Sequence, residues 1–261
     1  MTSESNKKYS DNNAALEIRK LNKSFCSGYG SAVQALLDID LTVNSGEFLI
    51  LLGATGCGKT TLLNLIADLD KPDEGLLSLN STLKFGDNIA YVFQHYTLFP
   101  WRTTLGNVTF TMEMRGLSRH LRKLEAAKLL SKVGLKGFES SYPHELSGGM
   151  RQRAAIAQAL AIKPKLLLMD EPFGAVDDNT RAELQQMITQ LWHENQSTII
   201  FVTHNIDEAL ILGDRVIVLS ERPGRIVHEY KIDLTRPRNR MAKEFTNLFI
   251  HIRQSLSGQL D

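Results

Sequence analysis

The 261-residue chain has almost no net charge, few cysteines and no long apolar run. Each absence excludes something. Thirty Lys+Arg stand against 29 Asp+Glu, a formal net charge of +1. Nucleic-acid-binding modules are usually markedly basic, so no nucleic-acid partner is expected. Hydrophobic residues make up 43 % and charged residues 23 %, whereas a disordered chain has less apolar content and a larger net charge. No segment approaches the ~18–20 consecutive apolar residues that span a membrane. The strongest runs, Phe48–Leu52, Leu166–Met169 and Thr198–Val202, have only strand length. Met1 to Asn13 is polar and lacks an apolar stretch, so no signal peptide is expected, and residues 1–15 read as a disordered tail. Cys26 and Cys57 are the only cysteines, which suits a reducing compartment and not a disulfide scaffold. No internal repeat is visible.

What is present is punctuated. At ~100–200 residues per domain, the length suits one domain with an inserted lobe. Leu37–Val43 alternates apolar and polar, the pattern of a half-buried strand. Phe48–Leu52 is apolar on both parities, which suits a central strand covered on both faces. Leu62, Leu63, Leu65, Ile66 and Leu69 then recur at helical spacing. Further strands are expected at Ile89–Phe93, Leu166–Met169, Thr198–Val202, Arg215–Ser220 and Arg225–Tyr230. Leu184, Met187, Ile188, Leu191 and Trp192 mark a helix between two of them. Strands alternating with helices indicate a mostly parallel sheet, preceded here by antiparallel β structure. Arg102 to about Pro143 is rich in helix formers and basic residues. It reads as an inserted helical lobe whose charges line a solvated face. A helix is expected at the C-terminus.

Two motifs carry chemistry. Gly53-Ala54-Thr55-Gly56-Cys57-Gly58-Lys59-Thr60 fits G-x-x-x-x-G-K-[ST], between a buried strand and a helix as that motif requires. Its glycines let successive N–H groups turn toward phosphate oxygens, and the following helix adds its positive end. Lys59 supplies a point charge and Thr60 a hard oxygen for Mg²⁺. The run Leu166–Met169 ends in Asp170 and Glu171, which places two carboxylates at the edge where α/β proteins bind ligands. Asp170 is positioned to hold Mg²⁺ and Glu171 to polarise an attacking water. Between the two motifs, Leu146-Ser147-Gly148-Gly149-Met150-Arg151-Gln152 opens a second helix suited to phosphate. One active site does not need two such termini on one γ-phosphate, whereas two chains placed head to tail would use both.

With these motifs in this order, the chain from about Leu16 to Ile250 resembles the ATP-binding subunits of ABC transporters. The resemblance implies an α/β P-loop ATPase domain over residues 16–245. Its parts would be a mostly parallel core sheet, an N-terminal antiparallel β subdomain and an inserted helical subdomain at about 100–160, followed by a C-terminal helix and tail at 246–261. It implies ATP and Mg²⁺ as cofactors. Phe25 matches the aromatic that stacks on adenine, and Gly53–Thr60 with Thr61 the phosphate loop. Gln94 matches the glutamine that senses metal and water. Ser147, Gly148 and Gly149 match the signature loop, Asp177 the D-loop, and His204 the histidine that contacts the γ-phosphate. Catalysis then falls to Glu171, His204, Gln94 and Lys59, and metal binding to Thr60, Gln94 and Asp170. Ala54, Thr55, Met150, Val176 and Asn205 depart from common family residues, but none removes a phosphate, metal or water contact.

Phe99-Pro100-Trp101-Arg102, Asp170–Ala175, Thr203–Ala209 and Ser220–Ile226 look like importers of the nitrate, sulfonate and taurine group, which also includes bicarbonate systems. That resemblance implies a homodimer, or a heterodimer with a similar subunit, on the cytoplasmic face of the cell membrane. Integral permease subunits would be direct partners and an extracytoplasmic solute-binding protein an indirect one. An exporter or lipid-transport ATPase is the alternative. A two-cassette ribosomal protein would carry a second Gly-x₄-Gly-Lys-Thr, and a DNA-repair ATPase would carry sustained heptads between Lys59 and Ser147; neither is present.

Overall fold

The computed structural model describes residues 13–26, 32–84, 87–174 and 176–258. Most of the expected tail therefore lies outside the described residues, and strand β1 (Ala14–Cys26) opens the described fold. It pairs antiparallel with β2 (Ala32–Asn44) on one side and β4 (Glu74–Leu79) on the other. This three-stranded sheet is the expected antiparallel part.

The larger sheet has six strands: β5 (Ile89–Val92), β6 (Leu166–Asp170), β7 (Thr198–Thr203), β3 (Phe48–Leu52), β8 (Arg215–Leu219) and β9 (Ile226–Lys231), in that spatial order. The first five run parallel and β9 closes the edge antiparallel. Every residue of β3, β6 and β7 is buried. Alternate side chains enter two different cores: Phe48, Ile50 and Leu52 join one, Leu49 and Leu51 the other. Two covered faces explain the continuous apolar runs.

Helix α1 (Lys59–Ile66) follows the glycine loop. The helical spacing read through Leu69 overshoots its end. Asp68 takes φ 54°, and Asp68 and Leu69 donate their N–H groups to the carbonyls of Leu65 and Asn64. Leu69 is left 60 % exposed. The lobe contains α2 (Thr104–Met114), α3 (Arg119–Lys132) and α4 (Gly148–Leu160). Helix α3 buries Ala126 and Leu130, and its Lys and Arg side chains form the solvated face. Helix α5 (Asp178–Asn195) carries the Leu184–Trp192 stripe, and α6 (Ile206–Leu212) follows β7. Helix α7 (Lys243–Leu256) packs Phe245 and Ile252 into the core shared with α6.

This topology gathers the motifs. Strands β6, β7 and β3 are neighbours, with Asp170 opposite Val202 and Leu52 opposite Thr203. The residues just past their ends, Gly53, Glu171 and His204, therefore share one edge of the sheet.

Candidate active site

The phosphate loop leaves β3 at Gly53 and curls through Gly56 and Gly58, whose φ angles are 83° and 105°. These are left-handed values that favour glycine. Lys59, at the first position of α1, is almost wholly buried. Its Nζ donates to the carbonyls of Gly53 and Ala54 at 2.8 Å each and lies 3.8 Å from Glu171 Oε1. Two backbone carbonyls thus hold the ammonium at the mouth of the loop. Cys57 is tucked beneath the loop with Sγ 3.9 Å from Lys59 Nζ, and burial pushes its thiol above the usual range.

Asp170 ends β6 in a buried position, with Oδ1 accepting from Thr60 Oγ1 at 3.2 Å. Burial raises its carboxyl above the ordinary range, against the pull of Thr60. Tyr91 on β5 donates to Asn64 at 3.2 Å, and burial, with Asp170 nearby, pushes its phenol up. Glu171 then turns the chain with φ 42°, its N–H held by the Val202 carbonyl at 3.0 Å. A non-glycine residue in that region is uncommon and is held there by its surroundings. Glu171 Oε2 lies 3.1 Å from His204 Nδ1.

Behind His204, Thr203 Oγ1 donates to buried Glu208 Oε2 at 2.6 Å. Asn205 caps α6, its Oδ1 accepting from the N–H groups of Asp207 and Glu208. An asparagine oxygen caps a helix as well as an aspartate oxygen does, so this departure from common family residues leaves the turn intact.

A cavity of about 410 Å³ opens beside these groups. Phe25 stands in its wall, with Thr55, Gly56, Gly58 and Lys59 along one side and Thr60 and Thr61 beyond. Gln94 and Glu171 also line it. Gly53, Ala54 and Cys57 do not line it; two of them give carbonyls to Lys59 and the third lies under the loop. Asp170 and His204 reach the site through Thr60 and Glu171. Ser147, Gly148, Gly149 and Asp177 are not part of this cavity. Ser147 caps α4 by accepting from Met150 N–H at 3.3 Å, and Asp177 caps α5 by accepting from Thr180 N–H at 3.0 Å. Val33, Ala35 and Arg222 line the cavity too; Arg222 lies in the Ser220–Ile226 segment, but none of the three was expected at the site, and folding brings them there.

The donor set suits a small hard cation. Thr60, Asp170 and Gln94 offer hydroxyl, carboxylate and amide oxygens. Thr60 and Asp170 stand 3.2 Å apart and Gln94 lines the cavity, oxygen donors of the kind Mg²⁺ takes when waters and substrate phosphates complete its shell.

Fold and site together define a P-loop nucleotide-binding protein of the α/β class. The chain belongs to the ABC transporter family, whose sequence profile matches residues 36–174. It is 50 % identical over 232 residues to an uncharacterized ABC transporter ATP-binding protein, MJ0412, of Methanocaldococcus jannaschii, covering 88 % of this chain and 86 % of that one. The nitrate import ATP-binding protein NrtD of Synechocystis is 45 % identical over 87 % of this chain and 88 % of its own length. The aliphatic sulfonates import ATP-binding protein SsuB of Bacillus licheniformis is 44 % identical over 90 % and 91 %. Among solved structures, the dimeric post-hydrolysis ATP-binding cassette MJ0796, bound to ADP and Pi, superposes with a TM-score of 0.76 at 32 % identity, over 84 % of this chain and all of that one.

Proposed function

We propose that the chain is the ATP-hydrolysing subunit of a solute importer, working as a pair on the cytoplasmic face of a membrane permease. The observation that carries the hydrolytic reading is Glu171 fixed between Lys59 and His204 at the rim of the phosphate-loop cavity. Lys59 meets the terminal phosphates with a charge already oriented by two carbonyls, so little reorganisation accompanies binding. Glu171 accepts the proton of the water that attacks the γ-phosphorus as the bond to the β-phosphate oxygen breaks. His204 holds that carboxylate in place, and its ring adds a polar group beside the departing phosphate. Mg²⁺, held by Thr60, Asp170 and Gln94, would neutralise charge on the phosphates.

Pairing is supported by the position of Ser147, Gly148 and Gly149. They open a helix suited to phosphate yet lie outside the chain's own cavity, so a second copy would use them. Docking on a permease is supported by the segment after Gln94. The buried Asn107 amide accepts from Phe99 N–H at 2.7 Å and donates to the carbonyls of Phe99 and Arg102. The loop so fixed presents Trp101, 71 % exposed. No described helix is long and apolar enough to cross a membrane, so membrane attachment falls to that surface. The family likeness points to nitrate, sulfonate, taurine or bicarbonate as solute, delivered by an extracytoplasmic binding protein.

The test is co-purification from a membrane extract followed by ATPase assay with and without Mg²⁺ and a solute-binding protein. A polytopic permease should accompany the chain, and one of these solutes should stimulate hydrolysis. Absence of Mg²⁺-dependent ATPase activity from the wild-type chain would overturn the reading.

A further inference from the structure

The nucleotide cavity contains a second cation, from outside the phosphate loop and the acid pair. Of the residues lining it, Lys59 and Arg222 are the cationic ones. Lys59 is already engaged by two carbonyls and Glu171. Arg222 comes from the turn between β8 and β9, far along the chain from the phosphate loop, and it is held against that loop. Its Nε and Nη2 donate to the Gly56 carbonyl at 3.4 and 3.2 Å.

The turn that carries Arg222 is not a loose one. Gly224 N–H donates to the Ala35 carbonyl at 2.9 Å, and the Leu37 N–H donates to the Gly224 carbonyl at 3.0 Å. Ser220 Oγ donates to the Pro223 carbonyl and accepts from Arg225 N–H, each at 2.9 Å. Strand β2, which supplies Val33 and Ala35 to the cavity wall, therefore fixes the backbone on which Arg222 stands. The guanidinium spends two donors on one backbone carbonyl. Among the described residues its Nη1 has no acceptor, and no carboxylate forms an ion pair with it. A planar cation anchored on one edge and free on the other is prepared for a phosphate oxygen.

Resting on the reading of this cavity as an ATP site, we propose that Arg222 is a second cationic contact of the nucleotide's phosphate chain, in addition to Lys59. It is a binding residue brought in from the β8–β9 turn. It acts on bound di- and triphosphate alike, so its contribution is to affinity more than to the chemical step.

The experiment uses the full chain, with ADP as probe so that hydrolysis does not intervene. Affinity is measured by calorimetry at several salt concentrations for wild type, Arg222→Gln and Arg222→Lys. The Gln variant should bind ADP about tenfold more weakly, as loss of one charge-assisted contact at a partly exposed site implies. Its affinity should also depend less on salt, because one screened charge–charge attraction is gone. The Lys variant should recover most of the affinity and the salt dependence. A clamp acting only on Gly56 would leave the salt dependence unchanged. Wild-type-like affinity in Arg222→Gln, or weakening with unaltered salt dependence, overturns this contact while leaving the ATP reading intact. Failure of the wild-type chain to bind ADP overturns both.

Discussion

Oε2 of Glu171 lies 3.1 Å from Nδ1 of His204. With Nδ1 as donor and the carboxylate oxygen as acceptor, the contact orients both side chains. The other carboxylate oxygen faces Lys59 Nζ at 3.8 Å. With its backbone at φ 42°, Glu171 is held from three directions, as a water-orienting base requires.

Glu171→Gln keeps the shape and one acceptor but removes the base. Phosphate release should fall by about 10²–10⁴-fold, the usual contribution of a positioned general base. ATP affinity should stay within a few-fold, because Lys59 keeps its carbonyl anchors. Single-turnover hydrolysis and equilibrium ATP binding, measured on the same preparation, separate the two. Turnover near the wild-type rate would remove Glu171 from the mechanism.

Much of this site was legible in the sequence, for a physical reason. The strand runs Phe48–Leu52 and Leu166–Met169 are read easily because both faces of the sheet are covered. The phosphate loop and the acid pair follow directly at their ends. Strand β4 was not legible: its Leu76 is exposed, and it exists by pairing with β1. Helix α6 is too short to show a period, and its capping residue Asn205 was the available signal. Arg222 lies in the Ser220–Ile226 segment, but its place against the phosphate loop was not legible, because it depends on long-range hydrogen bonds between Gly224 and β2 that no local pattern encodes. Cys57 lies in the expected motif, yet only the fold shows that it is buried beneath the loop.

Gly149 offers a test of how the signature helix meets the D-loop helix. A Cβ there would stand 2.5 Å from Thr180 Cγ2. Thr180 cannot easily turn away, since its Oγ1 donates to Asp177 Oδ2 at 2.7 Å. Gly149→Ala should therefore destabilise the protein by ~1–3 kcal/mol, the usual cost of overpacking. Adding Thr180→Ser removes the offending methyl and keeps the hydroxyl, so the double variant should regain most of the loss. Urea midpoints of the four proteins check this, and additive losses would show that the two residues do not meet.

The two thiols should differ sharply in reactivity. Cys26 is exposed and Cys57 is buried, and burial also raises the Cys57 pKa despite the neighbouring Lys59. The thiolate is the reactive form, so Cys57 is disfavoured by both access and ionisation. Iodoacetamide at neutral pH should modify Cys26 first, and Cys57 only on unfolding. Peptide mass spectrometry over a time course reads both sites at once. Early labelling of Cys57 in the folded chain would contradict its placement under the phosphate loop.

Glu208 makes stability depend on pH in a stated direction. Its carboxyl is buried beneath the turn that carries His204, accepts from Thr203, and lies 3.4 Å from Arg181 Nε. Burial outweighs the lowering effects of Thr203, Arg181 and His204, with Asp207 opposing them, so its pKa is raised above the ordinary 4.5. The folded state thus holds this proton more tightly than the unfolded chain. The stability it contributes is fully present below the unfolded value and is lost as pH rises through the raised folded value. Glu208→Gln abolishes the titration and keeps an oxygen for Thr203, while Arg181 retains Asp178 at 2.6 Å and the Val176 carbonyl. The variant should therefore gain on wild type as pH rises from about 4.5 into the neutral range, and then level off. Paired urea titrations across that range isolate Glu208 from the other carboxyls, which titrate alike in both proteins. A difference that stays flat with pH, or that falls, would mean that Arg181 compensates the buried charge in full.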